Sequence, residues 1–211
     1  MRAIDVVLFD ADGVFQRPPA DFLQRLAHTA LGNPELDGMP LLSDIFDAEH
    51  AALAGQADFA VTLVPVLQKW NAVCDVQAML EHWHAIDTDH SVLALVSELR
   101  RSGVVCAVAS NQQSYRAAHM SATLGYAKAF DHEFYSCHLG HAKPAEDYFH
   151  AIVRIGGFDP AHTLFLDDRE ANVKAARSAG LNAEHFVLGE IGSGAEALRA
   201  LLQPYGVFSQ P

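Results

Sequence analysis

Residues 6–13 read Val6-Val7-Leu8-Phe9-Asp10-Ala11-Asp12-Gly13, and they indicate the fold class more clearly than any other segment. An unbroken apolar run over residues 6–9 predicts a strand buried on both faces, which is typical of a parallel sheet covered by helices. The run ends in two carboxylates one residue apart, followed by a glycine that allows a sharp turn. Ligands of open α/β sheets bind at the carboxyl ends of the strands, where Asp10 and Asp12 would point. A solvated Asp-rich turn has the same composition. The residues at the other strand ends must therefore distinguish such a turn from a functional site.

The composition indicates a globular protein. Half of the 211 residues are hydrophobic and 19% are charged, which is enough apolar material for a core and argues against disorder. The net charge is −12, from 14 Lys and Arg against 26 Asp and Glu. Because an acidic surface repels a phosphate backbone at long range, nucleic acid is not expected as a partner. A small phosphorylated substrate remains compatible with this charge, since a local site can be positive.

The cysteines and the first residues favour a cytoplasmic location. Cys74, Cys106 and Cys137 are far apart and form no CxxC pair, so neither a disulfide framework nor a zinc site is expected. The apolar character of a signal peptide is interrupted near the start of the chain by Asp5 and Asp10. No apolar run approaches membrane-spanning length, and no membrane association is expected.

Residues 18–90 show helical patterns and no convincing strand. Ser43, Asp58 and Asp75 are candidate N-caps, and Pro65 is expected to kink or split its helix because it removes a backbone donor. The predicted helices of this part are 21–31, 43–53, 58–70 and 76–86.

Strands and helices alternate in the rest of the chain, with short connections, which predicts a doubly wound parallel sheet. The predicted strands are 104–109, 133–136, 163–166 and 183–188, and the predicted helices are 91–101, 114–124, 144–155, 170–179 and 194–202. We therefore predict an α/β core of residues 1–16 and 91–211, with a helical cap of residues 17–90 inserted after the first strand. Residues 15–19 and 86–91 would be the linkers and would act as hinges.

Polar or charged side chains that could take part in chemistry follow the first four predicted strands. Ser110 and Asn111 come after the second strand, Lys143 after the third, and Asp167 and Asp168 after the fourth. Each of these placements alone is ordinary loop or cap composition. Together with Asp10 and Asp12 they place four acids, a hydroxyl, an amide and a lysine at one edge of the sheet.

The chemistry of such a set suits Mg²⁺ and a phosphoryl group. Four carboxylates need a cation to stay ionised together, and hard oxygen ligands favour Mg²⁺, whereas zinc would favour His or Cys. Ser110 could donate a hydrogen bond to a phosphoryl group on that ion, and Lys143 could supply charge. One aspartate could attack phosphorus and the other could transfer protons.

Four short motifs carry a resemblance to a known family: Asp10-Ala11-Asp12-Gly13-Val14, Ser110-Asn111, Lys143-Pro144 and Asp167-Asp168. In order and spacing they resemble the four motifs of the haloacid dehalogenase superfamily, over the whole core. The helical insertion resembles that superfamily's four-helix cap. The resemblance implies a Rossmann-like core and an enzyme that uses Mg²⁺.

Roles follow from the resemblance residue by residue. Asp10 would be the nucleophile and Asp12 the general acid and base. Asn172 would steady the acidic loop. Mg²⁺ would be held by the Asp10 carboxylate, the Asp12 backbone carbonyl and the pair Asp167 and Asp168, while Ser110, Asn111 and Lys143 would bind the phosphoryl group.

Asp12 separates two branches of the family. Dehalogenases lack this second aspartate because a halide leaving group needs no proton, so the sequence predicts a phosphatase acting on a small phosphate monoester, such as a sugar phosphate, through an aspartyl-phosphate. A phosphomutase would use the same core residues, and a receiver-type signalling domain would combine a similar set without the insertion. A binding protein on an inactive core has no support, since every expected catalytic side chain is present.

The substrate is set by the cap and cannot be deduced from the motifs. Arg17, His50, Gln56 and Lys69 could reach it, and the sequence does not choose among them. The expected partner is a small phosphorylated metabolite, and the expected state is a monomer or a homodimer.

Overall fold

Five parallel strands form the centre of the protein. The computed structural model describes residues 4–33 and 38–208. Its strands are β1 (Val6–Phe9), β2 (Gln16–Arg17), β3 (Asp87–Thr88), β4 (Val105–Ser110), β5 (His132–Tyr135), β6 (Thr163–Asp167) and β7 (Asn182–His185). The main sheet has the order β5-β4-β1-β6-β7. The first strand therefore lies between β4 and β6, with Val6 opposite both Val105 and Thr163.

Helices cover both faces of this sheet. The core helices are α5 (His90–Arg101), α6 (Ser114–Ala118), α7 (Tyr126–Ala129), α8 (Ser136–Leu139), α9 (Glu146–Gly156), α10 (Glu170–Ser178) and α11 (Gly194–Leu202). Val7 and Phe9 point into one hydrophobic cluster and Val6 and Leu8 into the other, as the alternation of side chains along a strand requires. The predicted doubly wound parallel α/β fold is confirmed.

Four helices inserted between β2 and β3 share a hydrophobic cluster of their own. They are α1 (Phe22–Leu31), α2 (Met39–Leu53), α3 (Phe59–Lys69) and α4 (Val76–His82), and we call them the cap. Trp83 is buried in this cluster and Trp70 packs against it, as expected for core packing. The division into residues 1–16 with 91–211 and residues 17–90 stays a prediction.

The two linkers pair with each other. Gln16 lies opposite Thr88 and Arg17 opposite Asp87 in a two-stranded antiparallel ribbon. The prediction of no strand between residues 18 and 90 was wrong because two residues leave no periodic pattern. Whether these segments act as hinges stays a prediction.

Several helix boundaries differ from the predicted ones. The second cap helix begins at Met39, so Ser43 lies inside it and is not its N-cap. Asp58 and Asp75 do cap their helices: Asp58 accepts from the Ala60 and Val61 N–H groups, and Asp75 accepts from the Ala78 N–H. Helix α3 continues through Pro65 without being split, because tertiary packing can override a local penalty.

The core departs from the predicted boundaries in smaller ways. The predicted helix 114–124 is α6 followed by a π-helical turn, His119–Thr123. Strand β4 extends to Ser110 and β6 to Asp167, one residue further than predicted in each case. Pro144 precedes α9, which begins at Glu146. Pro34, which follows the predicted first cap helix 21–31 and would help to end it, lies outside the described residues. Within residues 4–33 and 38–208, no helix is both long and apolar enough to cross a membrane.

Asp89 connects the start of α5 to the loop before α11. Its Oδ1 accepts hydrogen bonds from the Ser91 and Val92 backbone at 2.9 and 3.2 Å, and its Oδ2 accepts from Gly192 and Gly194 at 2.8 and 3.1 Å. Burial alone would raise the pKa of Asp89, but these hydrogen bonds and that of the Ser91 hydroxyl outweigh burial and lower the pKa. The ionised carboxylate is therefore stabilised by folding.

We expect Asp89→Asn to lower the free energy of unfolding by about 1–3 kcal/mol at neutral pH, since an amide cannot accept all these bonds. A lowered folded-state pKa gives stability that is present above the unfolded pKa and lost as the pH falls. The difference from wild type should therefore shrink below about pH 4 in urea unfolding curves. Asp75→Asn, at an exposed cap with one bond from Ala78, is the control and should cost less. An equal cost for both variants would contradict this account.

Candidate active site

The predicted site residues do meet at the carboxyl edge of the sheet. Asp10 follows β1, Ser110 ends β4 and Asp167 ends β6, and the three strands are neighbours. Asp10, Asp167 and Asp168 each offer a carboxylate oxygen within 4.8 Å of the others. Six of the seven predicted site residues line one cleft of about 770 Å³: Asp10, Asp12, Ser110, Asn111, Lys143 and Asp168. The seventh, Asp167, is fully buried beneath it.

Lys143 is the positive charge among these acids. Its Nζ donates to Asp10 Oδ1 at 2.8 Å, to Asp167 Oδ2 at 2.7 Å and to the Ala109 carbonyl at 3.0 Å. The side chain is 1% exposed, so the three contacts are made away from water. A buried ammonium held by two carboxylates partly compensates their repulsion.

Asn111 holds the backbone of Lys143. Its Nδ2 donates to the Lys143 carbonyl and its Oδ1 accepts from the Lys143 N–H, both at 2.9 Å. The side-chain amide is thereby used for positioning the lysine, and a phosphoryl contact from Asn111 stays a prediction. Ser110 is buried, and its Oγ accepts a hydrogen bond from Gln112 at 3.1 Å.

The acidic loop after β6 is fixed from its own helix. Asn172, on α10, donates to both oxygens of Asp167 at 3.0 Å, and the Arg169 N–H donates to Asp167 Oδ1 at 2.8 Å. The expectation that Asn172 steadies this loop is confirmed. Burial and the charge of Asp167 raise the pKa of the half-buried Asp168.

Asp10 is held in one orientation, but its surroundings disfavour the ionised carboxylate. Its Oδ1 accepts from the Ala11 N–H at 2.8 Å as well as from Lys143. Burial raises the pKa of Asp10 to about 7, with Lys143 opposing the rise and Asp167 adding to it. More positive charge at this cluster would favour the ionised, nucleophilic form.

Three residues that the sequence did not single out surround Asp12. Arg116 donates through Nη1 to Oδ2 at 2.7 Å and through Nη2 to Oδ1 at 2.9 Å. Gln112 donates to Oδ2 at 2.9 Å and Gln16 to Oδ1 at 3.1 Å. Burial alone would raise the pKa of Asp12, but Arg116 and the two amides outweigh burial and lower the pKa.

Arg116 also joins the core to the cap. Its Nε donates to the Trp83 carbonyl, at the end of α4, at 3.1 Å. Another contact across the same boundary is made by Tyr115, whose hydroxyl donates to Asp58 at 2.9 Å. Gln112 directly follows the predicted Ser110-Asn111 motif and could have been proposed on that ground. Arg116 carries no such signal.

The cap closes one side of the cleft. Its described walls include the apolar side chains of Phe22, Leu23, Phe46, Leu53 and Trp83. Among the four residues proposed to reach substrate, Arg17 and His50 line the cleft. Lys69 instead pairs with Asp44 on the surface at 2.6 Å, and Gln56 is exposed away from the described walls.

Glu49 is a further cap residue in the cleft wall that the sequence did not single out. It lies on α2 and is half-buried. Burial raises the pKa of Glu49 to about 7, although Arg116 and a hydrogen bond with the Trp83 side chain oppose the rise. An acid on a cap helix has no motif around it, so no sequence signal could have found it.

The acidic cluster fits a divalent cation. Its three carboxylates are hard oxygen ligands. Burial, together with the charge of Asp167, raises the pKa of both Asp10 and Asp168, and a bound cation would favour their ionised forms. Gly13, at φ +84°, leaves room for the Asp168 carboxylate, since a Cβ at this position would lie 2.4 Å from Asp168 Oδ2. The residues that could hold the ion are Asp10, Asp167, Asp168 and the backbone of Asp12.

We expect Gly13→Ala to weaken Mg²⁺ binding by about 10–100-fold, because the new methyl group displaces Asp168. Isothermal titration calorimetry measures the affinity. Gly140→Ala is the matched control: Gly140 has a similar φ of +75°, but open space surrounds its Cβ position. Both variants carry about 1–2 kcal/mol of backbone strain. An equal loss of affinity in both would show that strain, and not the clash with Asp168, causes the effect.

The protein is a doubly wound parallel α/β protein with a helical insertion between β2 and β3, and its acids and lysine lie at the strand edge where such sheets bind ligands. The family model of haloacid dehalogenase-like hydrolases matches residues 4–180. The chain belongs to this family and is a haloacid dehalogenase-like hydrolase.

Solved structures show the same fold. A HAD-family enzyme of Bacteroides thetaiotaomicron is 18% identical with a TM-score of 0.77, covering 93% of this chain and 98% of its own. A predicted HAD-like hydrolase of Porphyromonas gingivalis is 20% identical with a TM-score of 0.77, covering 95% and 98%. The L-2-haloacid dehalogenase of Xanthobacter autotrophicus is 20% identical with a TM-score of 0.63, covering 95% and 83%. Because an L-2-haloacid dehalogenase shares this fold, the fold alone does not distinguish a dehalogenase from other hydrolases of the family.

Proposed function

We propose that this protein is a Mg²⁺-dependent phosphatase that hydrolyses a small phosphate monoester through an aspartyl-phosphate on Asp10. The observation that carries the proposal is the group of Asp10, Asp167 and Asp168 within 4.8 Å around a buried lysine. The Bacteroides enzyme has been crystallised in complex with magnesium and inorganic phosphate, which supports the proposal by analogy. Asp12 supports phosphate ester chemistry, since a halide needs no proton.

Each residue has a part in the reaction. Asp10 attacks phosphorus from an orientation fixed by the Ala11 N–H and Lys143. Ser110 and Lys143, which line the same cleft, would bind the phosphoryl oxygens, and Lys143 would offset part of their charge. Asp10, Asp167, Asp168 and the Asp12 carbonyl would hold Mg²⁺, which supplies positive charge for the acids and the phosphoryl group. Asp12 would take part in the proton transfers of the two half-reactions.

A substrate panel tests the proposal. The purified protein is assayed with 4-nitrophenyl phosphate, a set of sugar and polyol phosphates and a 2-haloacid, each with Mg²⁺ and with excess EDTA. We expect release of inorganic phosphate that requires Mg²⁺, and no halide release. Halide release, or phosphate release that ignores chelation, would overturn the proposal. Conversion of a sugar phosphate to its isomer without free phosphate would indicate a phosphomutase instead.

A further inference from the structure

The two sides of the cleft differ in chemistry. Among the described residues, those that line it from the core are polar or charged, apart from Gly13. Those that line it from residues 17–90 are apolar, apart from Arg17, Glu49 and His50. A phosphate monoester of a hydrocarbon alcohol has the same two-part character, since its phosphoryl group is charged and the rest is not. The cleft therefore has a polar end for a phosphoryl group and an apolar end for the group that carries it.

The apolar end is built mainly from two cap helices. Phe46 and Leu53 lie about two turns apart on one face of α2. Phe22 and Leu23 come from the first turn of α1. The Phe22 ring packs edge-on against the buried Trp83, with 5.7 Å between the ring centroids. The wall is thus anchored in the hydrophobic cluster of the cap.

Two side chains of this wall are not covered by the protein itself. Leu23 is 45% exposed and Phe46 is 41% exposed. Single exposed apolar residues are common on protein surfaces. Leu23 and Phe46 differ because they line one cleft, which also contains Ser110 and Lys143. An apolar group bound beside them would remove their surface from water, which is favourable in proportion to the area buried.

The polar side chains of the same wall offer little to a sugar. Arg17 Nη1 donates to the Gly189 carbonyl at 3.1 Å. Glu49 accepts a hydrogen bond from the Trp83 side chain, and His50 is exposed. A sugar would give up water at several hydroxyls here and would meet mostly hydrocarbon in return. Because each buried hydroxyl needs a hydrogen-bond partner, the wall suits a hydrocarbon better than a polyol.

We propose that the substrate of this protein is a phosphate monoester of an alcohol whose body is an apolar ring, and that the cap wall binds that ring through Phe22, Leu23, Phe46 and Leu53. This inference rests on the proposed phosphatase function and names the substrate class of the same site. The phosphoryl group binds at the strand edge and the ring packs against the wall, so the ester oxygen lies between the two ends of the cleft.

Two esters with rings of the same size test the proposal. Cyclohexylmethyl phosphate and glucose 6-phosphate both carry the phosphate on a methylene group attached to a six-membered ring, and only the second has hydroxyls. Electron-withdrawing hydroxyls make the sugar the better leaving group, so leaving-group chemistry alone would favour glucose 6-phosphate. We expect kcat/KM to be higher for cyclohexylmethyl phosphate by about 10²-fold. An equal or higher value for glucose 6-phosphate would overturn the proposal.

Phe46→Ser tests the wall itself, because it removes an exposed ring from the cleft. We expect it to lower kcat/KM for cyclohexylmethyl phosphate by about 10-fold, mainly through KM, and to change the value for glucose 6-phosphate less than about twofold. Val61→Ser is the control, since Val61 is 67% exposed on α3 and does not line the cleft. It should change neither value. Equal losses for both esters in Phe46→Ser would contradict the assignment of the wall.

The failure of this inference is distinct from the failure of the proposed function. Mg²⁺-dependent release of phosphate from 4-nitrophenyl phosphate or glucose 6-phosphate, without a preference for cyclohexylmethyl phosphate, overturns the substrate class alone. If none of the three esters releases phosphate in the presence of Mg²⁺, the phosphatase function itself fails, and the substrate class fails with it.

Discussion

Asp10→Asn should abolish turnover, with kcat falling by about 10⁴-fold or more, because an amide cannot form the covalent bond to phosphorus. The substitution preserves the shape of the side chain beside Lys143. Lys143 keeps its second carboxylate partner, Asp167, so the fold should be retained. Steady-state rates with 4-nitrophenyl phosphate and Mg²⁺ measure the effect, and circular dichroism checks the fold.

The control for Asp10→Asn is Asp147→Asn, which neutralises a carboxylate that is 75% exposed in the first turn of α9. It should retain wild-type turnover. A rate for Asp10→Asn within about tenfold of wild type would exclude nucleophilic attack by this residue, since electrostatic support alone is worth less than covalent participation.

Lys143→Met should cost about 3–5 kcal/mol of stability, because removing one partner of a buried ion pair leaves an uncompensated charge. In this site two carboxylates, Asp10 and Asp167, lose their shared ammonium at once. Urea unfolding in the presence of EDTA measures the cost. Saturating Mg²⁺ should restore part of the stability, since a cation bound by the same acids stabilises the folded state.

The matched control is Lys69→Met, which breaks the surface pair with Asp44 on the cap. With the Lys69 side chain 63% exposed, this change should cost less than about 1 kcal/mol and should not respond to Mg²⁺. Equal costs for the two lysines would contradict the picture of Lys143 as the buried counter-charge of the acidic cluster.

The strand edge was predictable because its residues obey local rules. A strand buried on both faces must be apolar, so the polar residues that follow the runs ending at Phe9, Ala109 and Leu166 stand out in the sequence. Parallel strands place those positions at one edge. The sequence therefore identified Asp10 and Asp167 with no knowledge of the fold beyond its layer order.

The surroundings of Asp12 depend instead on tertiary packing. Arg116 lies on α6 and reaches across to the cap, where its Nε donates to the Trp83 carbonyl. Gln16 belongs to a two-residue ribbon that exists only because the linkers pair. Glu49 reaches the cleft through the way α2 packs on the core, which side-chain periodicity cannot specify. These positions lie outside any motif, so the sequence alone could not have placed them at the cleft.

Chemical trapping of the enzyme during turnover tests the central claim most directly. The protein is mixed with substrate and Mg²⁺, quenched within milliseconds in acid, reduced with borohydride and digested for peptide mass spectrometry. An aspartyl-phosphate is reduced to homoserine, so we expect homoserine at position 10, with no modification of Asp12, Asp167 or Asp168, and none at position 10 when substrate is omitted. Turnover with no reducible species at position 10, or with the label at another residue, would contradict nucleophilic catalysis by Asp10.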